Sequence, residues 1–250
     1  MKASRLSALI LALSLLASCG APPPEATPTP SPTAESAVET STVFTLPRAT
    51  ESLHPILSAD KVNVALVGLL WEGLFELDQT FNPQLQLCQS YAVSEDGLTW
   101  TFYLRGGVTF SDGSPLTAAD VVASLQLAQS AQSRFAGRLD DIGTIAEQEG
   151  AVVLTLRTPN AALPALLDIP IVKAGDAEVP PGTGPYRLTE TPEGTVLTAR
   201  PDWWQGLSLP AENIPLVTIQ AADDLISAFD TEDISLVTAD LTGTSTLGFA

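Results

Sequence analysis

The chain after residue 43 alternates short apolar runs with polar turn residues, which is the pattern of strands joined by tight turns. Runs rich in β-branched and aromatic residues predict strands at 43–47 (VFTLP) and 100–104 (WTFYL). The run VTF at 108–110 predicts a hairpin partner for the second strand, across Arg105-Gly106-Gly107. The same pattern predicts further strands at 143–148, 151–157, 186–191, 195–200, 217–222 and 234–237.

Helical patterns are fewer than strand patterns. From Lys61, the run KVNVALVGLLWEGL is apolar on most faces, which predicts a buried helix. Thr117 followed by Asp120 resembles a capping box with Asp in place of Glu and predicts a helix that continues to about Gln132. Short helices are also predicted near 164–167 and around 223–229. Strands and helices that mix without a regular βαβ repeat predict a mixed α/β (α+β) fold.

The first 18 residues have the features of a bacterial lipoprotein signal peptide. Lys2 and Arg5 precede an uninterrupted run of apolar and small residues, 6–18, which is too short to span a bilayer. The run ends in LASCG, which resembles the lipobox, where cleavage precedes the cysteine and the thiol receives a diacylglyceryl group. We therefore predict lipid attachment at Cys19; the alternative is a buried N-terminal helix with a chance cysteine.

The next segment, residues 20–42, is dominated by Pro, Thr, Ser, Ala and Glu, with almost no large apolar side chain. Such a segment cannot form a core, and proline at this density favours an extended chain. The sequence therefore predicts a signal peptide at 1–18, a lipidated tether at 19–42 and a globular part at 43–250.

Composition and charge narrow the function classes. Of the 250 residues, 45% are hydrophobic, which is enough to form a core. Lys and Arg number 11 against 29 Asp and Glu, for a formal net charge of -18, so we expect no nucleic-acid partner. Two Cys and one His supply neither a disulfide framework nor the ligands of most zinc and iron sites. We therefore expect no metal site and no cofactor.

One long stretch carries a specific resemblance. The sequence SEDGLTWTFYLRGGVTFSDGSPLTAADVVASL, residues 94–125, resembles the signature region of the family 5 extracellular solute-binding proteins, the oligopeptide, dipeptide and nickel receptors of ABC importers. Other segments resemble family elements in the same order: SLHP at 52–55, with His54 in place of Asp; LLWEGLFELD at 69–78, with Trp71 in place of Tyr; PNAALPALLDIPIV at 159–172; GTGPY at 182–186; PDWW at 201–204; and AFDTEDISLV at 228–237.

The resemblance implies a type II periplasmic-binding-protein-like fold, in which two lobes close over a ligand. Family members are usually about twice as long as this chain, and their second lobe follows the strand that 234–237 resembles. We therefore expect this chain to hold the N-terminal portion of the family 5 domain, a lobe with a mixed sheet, and the second lobe to be missing. The acidic residue that pairs with a peptide's α-amine would lie in that missing part.

The resemblance also implies a function. It predicts a lipid-anchored substrate-binding component of an ABC importer that captures peptides or another small solute, on the outer face of the cell membrane or the periplasmic side of a Gram-negative envelope. Its partners would be the permease and ATPase complex and the membrane, to which the lipid anchor would hold the protein. We expect no catalytic residue, because no carboxylate pair or nucleophile motif stands out. The alternatives are an interaction or sensory module, a truncated non-functional receptor and, last, a hydrolase.

Two short segments hold the candidate ligand-binding residues: Glu51, Ser52, Leu53 and His54 in the first, and Trp71, Glu72 and Gly73 in the second. Trp71 would offer an apolar wall and Glu72 a carboxylate, unless both pack and cap the end of the preceding helix. For Gly73 we favour a helix C-cap with positive φ over a ligand contact. For His54 we favour a solvent-exposed loop position over one that faces the cleft.

Overall fold

The computed structural model of this protein describes residues 44–237, which form ten strands and four α-helices. The strands are β1 Leu46–Ala49, β2 Phe75–Leu77, β3 Pro83–Leu85, β4 Cys88–Val93, β5 Thr99–Leu104, β6 Ile142–Gln148, β7 Ala151–Leu156, β8 Tyr186–Thr191, β9 Gly194–Ala199 and β10 Asn213–Ile219. The helices are α1 Lys61–Val64, α2 Val67–Leu70, α3 Ala118–Ala128 and α4 Ala222–Asp230, and a 3-10 helix covers Leu163–Leu166. The predicted signal peptide and the tether with Cys19 lie outside the described residues.

One sheet joins the two ends of the described chain. Its strand order is β1-β10-β9-β8, with β1 parallel to β10 and the other neighbours antiparallel, so the sheet is mixed as predicted. Beside it, the backbone N–H of Ser235 donates to the Thr45 carbonyl at 2.9 Å, and the N–H of Thr45 donates to the Ser235 hydroxyl at 2.9 Å. Segments nearly two hundred residues apart in sequence therefore form one edge of the sheet.

The second sheet is antiparallel throughout, with strand order β4-β5-β7-β6. β5 lies in its interior, between β4 and β7. The predicted hairpin between β5 and residues 108–110 is wrong, because β4 and β7 already occupy both edges of β5. Residues 108–110 form a loop instead, with a single bridge between Thr109 and Pro115. β2 and β3 form a separate hairpin.

Helix α3 begins at the predicted capping box. The Thr117 hydroxyl accepts from the Asp120 N–H at 3.3 Å, and the Asp120 carboxylate accepts from the Thr117 N–H at 3.0 Å, which satisfies two backbone donors at the helix start. The helix ends at Ala128, a turn earlier than expected. On its buried face, the Ser124 hydroxyl bonds both the carbonyl and the N–H of Val172, which fixes α3 to the 171–173 segment.

The single buried helix predicted from Lys61 is wrong: the segment forms two four-residue helices, α1 and α2. The second ends because Trp71 is extended, with φ -131° and ψ 147°. The Leu70 carbonyl accepts from the N–H of Gly184 at 3.0 Å. The end of α2 therefore contacts the 182–185 loop, which stops the helix from continuing.

The other local predictions have mixed outcomes. The strands at 143–148, 151–157, 186–191 and 195–200 are confirmed as β6 to β9, as are the two short helices. β10 begins and ends earlier than the strand predicted at 217–222, and β1 begins later than 43. The strand predicted at 234–237 is wrong: the segment is a loop beside Thr45, and its Ile234 is buried with the α4 residue Leu225 and the β10 residue Ile219.

Most buried apolar side chains form one continuous core between the helices and the sheets. Phe75, Phe102, Leu125, Leu154 and Leu167 are 2% exposed or less. Burying a side chain of this size contributes about 1.5–3 kcal/mol relative to leaving it in water. Within residues 44–237, no helix combines the length and the apolar character needed to cross a membrane.

Candidate ligand-binding site

The turn after α2 brings Trp71, Glu72 and Gly73 to the wall of one cavity of about 430 Å³. Trp71 is only 3% exposed, and its indole N–H donates to the Pro180 carbonyl at 2.9 Å. The ring therefore packs into the protein and borders the cavity. The predicted apolar wall and the packing alternative are therefore compatible, because the Trp71 side chain both packs against the protein and lines the cavity.

Gly73 is required by close packing and not by a left-handed backbone. Its φ is not positive, so the predicted C-cap with positive φ is wrong. A Cβ on Gly73 would lie 2.9 Å from the backbone of both Asp168 and Phe75, closer than real Cβ atoms come. The N–H of Gly73 donates to the Gln86 side chain at 3.1 Å. The absence of a side chain therefore lets this turn pack against the segment before Ile169.

Glu72 lies in a nearly closed polar cluster. It is 3% exposed, and its Oε2 accepts from the Trp204 indole at 2.8 Å. Burial raises the pKa of the Glu72 carboxyl above its ordinary value, and the nearby groups of Trp204, Thr183, Trp203 and Arg200 oppose that rise. Glu72 Oε1, Thr183 Oγ1 and Trp203 Nε1 are buried without a hydrogen-bond partner among the described residues. The carboxylate thus faces donors that it does not fully engage.

Arg200 holds the loops around this cluster, and the sequence patterns did not single it out. Its guanidinium is buried and donates to the carbonyls of Gly182, Gly184, Thr109 and Phe110 at 3.1–3.4 Å. A fifth partner, Asp202, is an exposed carboxylate at 3.2 Å. The sequence feature that could have identified Arg200 is an isolated arginine between an apolar strand and the PDWW element.

The other predicted segment lies beside this cavity but does not line it. Glu51 and Ser52 are exposed, whereas Leu53 and His54 are buried. His54 is 8% exposed, and its Nδ1 accepts from the N–H of Ile56 at 3.2 Å, so the predicted solvent-exposed position is wrong. Burial lowers the pKa of His54, which favours the neutral imidazole that can accept this bond.

An arginine that the sequence reasoning missed connects the two segments. The backbone N–H of Arg134 donates to the Ile56 carbonyl at 3.0 Å, and its Nε donates to the Pro55 carbonyl at 2.8 Å. Arg134 also lines the cavity of Trp71 and Glu72. The loop that follows His54 is therefore fastened to the cavity wall.

The remaining candidate groups carry no chemistry at this site. Cys88 is a buried free thiol, and burial raises its pKa to about 11, which keeps it protonated. The adjacent acidic residues at 140–141, 223–224 and 232–233 are exposed to solvent. Over the described part of the chain, no group of three or more His, Cys, Asp or Glu side chains is arranged to hold a metal ion.

Comparisons with known proteins give consistent matches. The family model described as bacterial extracellular solute-binding proteins, family 5 Middle, matches residues 82–247. The glutathione-binding protein GsiB of Escherichia coli O1:K1 / APEC is 34% identical over 153 residues, which cover 55% of this chain and 30% of that protein. The Probable peptide ABC transporter periplasmic-binding protein y4tO of Sinorhizobium fredii (strain NBRC 101917 / NGR234) is 30% identical over 149 residues, covering 54% of this chain and 28% of that protein. The chain thus spans less than a third of the length of these curated relatives.

Solved structures share the fold. The binding protein MoaA of A. tumefaciens R10, in complex with mannopinic acid, superimposes with a TM-score of 0.66 at 23% identity, over 77% of this chain and 44% of that one. This likeness confirms the predicted mixed α/β fold with the architecture of a periplasmic-binding-protein lobe.

Proposed function

Because the chain belongs to the bacterial extracellular solute-binding proteins of family 5, we propose that residues 44–237 form one lobe of a receptor that captures a peptide or another small solute for an ABC importer. The observation that carries this function is the cavity of about 430 Å³ beside Trp71, Glu72 and Gly73. It combines an apolar wall with charged groups, which is the chemistry of a solute site. The permease and the ATPase complex would be the transport partners.

The names of the relatives favour a peptide. GsiB is named for glutathione, which is a tripeptide, and y4tO for a peptide transporter. The ligand of MoaA, mannopinic acid, keeps other small solutes among the candidates. We infer that this receptor acts by binding and release, without a catalytic residue or cofactor.

Two parts of the lobe would contribute to binding. Trp71, Glu72 and Gly73 line the cavity, and Glu51 and Ser52 present exposed groups on the neighbouring loop. The next two residues of that loop, Leu53 and His54, are buried and would set its shape rather than contact the solute.

Lipid attachment at Cys19 would hold the receptor at the outer face of the membrane, with residues 1–18 removed and 19–42 as the tether. The support is the lipobox-like LASCG sequence and the proline-rich composition that follows it. Metabolic labelling with a radioactive or clickable palmitate tests the anchor. We expect label in the wild-type chain and none in Cys19→Ser, with Cys88→Ser as the control that keeps it. Equal labelling of wild type and Cys19→Ser would refute the anchor.

Solute capture is tested by thermal unfolding of the full chain with a defined tripeptide mixture, with glutathione and, as a control, with a sugar mixture. A ligand at a hundred times its Kd stabilises the folded state by about 2.7 kcal/mol, enough for a shift of several degrees. We expect a shift with peptides or glutathione and none with sugars. No shift with either peptide sample would contradict peptide capture.

A further inference from the structure

Three buried polar atoms gather around one carboxylate inside the lobe. They are Glu72 Oε1, Thr183 Oγ1 and Trp203 Nε1, and no group of residues 44–237 forms a hydrogen bond with any of them. Burial raises the pKa of Glu72, and both Thr183 and Trp203 are close enough to oppose that rise. An unpaired polar atom is costly to bury, so three of them at one place indicate a ligand that they share.

Other hydrogen bonds hold the three atoms in their places. The second Glu72 oxygen, Oε2, accepts from the Trp204 indole at 2.8 Å. The glycine carbonyls on either side of Thr183 accept from the Arg200 guanidinium at 3.4 and 3.3 Å. The backbone N–H of Trp203 donates to the Arg200 carbonyl at 3.2 Å. Each of the three segments is therefore fixed by bonds of its own.

Backbone packing also prevents the loop of Thr183 from moving closer to the turn after α2. The N–H of Gly184 donates to the Leu70 carbonyl at 3.0 Å. A Cβ on Gly182 would overlap the same carbonyl oxygen, so backbone already touches backbone there. The space between Thr183 and Glu72 is therefore a fixed feature of the fold.

The donors and acceptors around this space select its ligand. An indole N–H only donates, an ionised carboxylate only accepts, and a hydroxyl does both. The ligand must therefore accept from Trp203 and donate to Glu72. A metal ion or an ammonium group has no lone pair for an N–H, and an anion has no proton for a carboxylate. Water has both, and a buried water typically makes two to four such bonds.

We propose that one water molecule is bound here, accepting from the Trp203 indole, donating to Glu72 Oε1 and bonding the Thr183 hydroxyl as its third partner. A bridging water replaces a direct bond where polar groups are held too far apart. It would join the turn after α2, the 182–185 loop and the PDWW element at 201–204. One such bond offsets only part of the cost of burying a charge. The site is structural and does not depend on solute capture.

A high-resolution crystal structure of the full chain tests the site directly. We expect a single water at about 2.7–3.2 Å from Trp203 Nε1, within hydrogen-bond distance of Glu72 Oε1 and Thr183 Oγ1. A direct hydrogen bond from Thr183 or Trp203 to Glu72 Oε1, with no density between them, would overturn the proposal.

Oxygen-17 relaxation dispersion, which counts long-lived buried waters, tests the site in solution. Thr183→Val/Trp203→Phe removes two of the three partners and leaves too few to hold a buried water. We expect one long-lived water fewer in this variant than in wild type. Thr144→Val/Trp100→Phe makes the same chemical changes at an exposed threonine and at an indole that donates to a backbone carbonyl. This control should keep the wild-type count.

The outcomes are specific to the cluster. An equal number of long-lived waters in wild type and in Thr183→Val/Trp203→Phe would contradict a water at this place. An equal fall in Thr144→Val/Trp100→Phe would contradict it as well, because the loss would then not depend on these partners. The Tm of each variant shows whether it folds, and if the first variant does not, the crystal structure of the wild type decides.

Discussion

At the residue scale, Glu72 is an acid whose charge the protein interior disfavours. Its folded pKa is raised, mainly by burial, so the folded state binds its proton more tightly than the unfolded state does. The contribution of Glu72 to stability is therefore most favourable below the unfolded pKa and is lost as pH rises through the higher folded value. Ionised Glu72 costs stability at neutral pH unless a ligand or a donor compensates.

Glu72→Gln tests this sign. The substitution keeps an oxygen that can accept from Trp204 and removes the buried charge. We expect the variant to gain free energy of unfolding over wild type at pH 7 and to lose most of that gain near pH 4. Urea unfolding at both pH values measures the difference, with the exposed Glu76→Gln as the matched control. A gain that does not depend on pH would contradict the role of ionisation.

The two adjacent tryptophans predict unequal effects. The Trp204 indole donates to the Glu72 carboxylate at 2.8 Å, whereas the Trp203 indole has no hydrogen-bond partner among the described residues. Trp204→Phe should therefore cost about 1.5–3 kcal/mol, the value of a hydrogen bond to a charged group. Trp203→Phe should cost clearly less. Chemical unfolding of both variants checks the order, and equal losses would show that ring packing outweighs the hydrogen bond.

At the element scale, the end of α2 depends on the glycines of the 182–185 loop. A Cβ on Gly184 would lie 2.6 Å from the Leu70 carbonyl carbon, where backbone atoms cannot move aside easily. Gly184→Ala should destabilise the fold by about 1–3 kcal/mol or more, as overpacking does. Gly106→Ala is the control, because nothing lies within 4 Å of its added Cβ. Thermal unfolding should separate the two variants; similar Tm values would mean that the loop can move away.

The contact between the end of α2 and Gly184 shows which elements the sequence could not predict. Elements set by neighbouring residues, such as the β6–β7 and β8–β9 hairpins and the capped start of α3, follow from alternation and capping patterns. Elements set by distant partners do not. The break after α2 comes from a loop more than a hundred residues away, and the partner of β5 arrives as β7 instead of the nearest apolar run.

The residues of the candidate site also differ in whether the sequence could predict their positions. The Trp71–Gly73 turn was predictable because it lies within a motif, and the structure places it on a cavity wall. Arg134 was not predictable because it stands in a polar stretch, SAQSRFAGR, whose pattern carries no signal. Its position depends on hydrogen bonds to Pro55 and Ile56, which only the folded chain brings near. His54 was placed in solvent for the same reason: its two backbone partners are not visible in the pattern.

At the scale of the whole molecule, charge opposes compaction. The formal net charge is -18, and the ion pairs of residues 44–237 that we describe, such as Arg138–Asp168 and Lys173–Asp112, use only a few of the acidic side chains. Surplus like charges repel one another more in the compact state than in the expanded chain. Exposed ion pairs contribute little against this repulsion.

Salt should therefore stabilise this protein. Raising NaCl from about 0.02 M to about 0.5 M shortens the Debye length from about 20 Å to about 4 Å, which screens the repulsion across the surface. We expect Tm to rise over this range, measured by circular dichroism at constant pH. Potassium chloride should act like sodium chloride, because screening depends on ionic strength and not on a bound cation. A Tm that falls with salt would mean that the few ion pairs outweigh the repulsion, and a rise with only one cation would indicate specific binding.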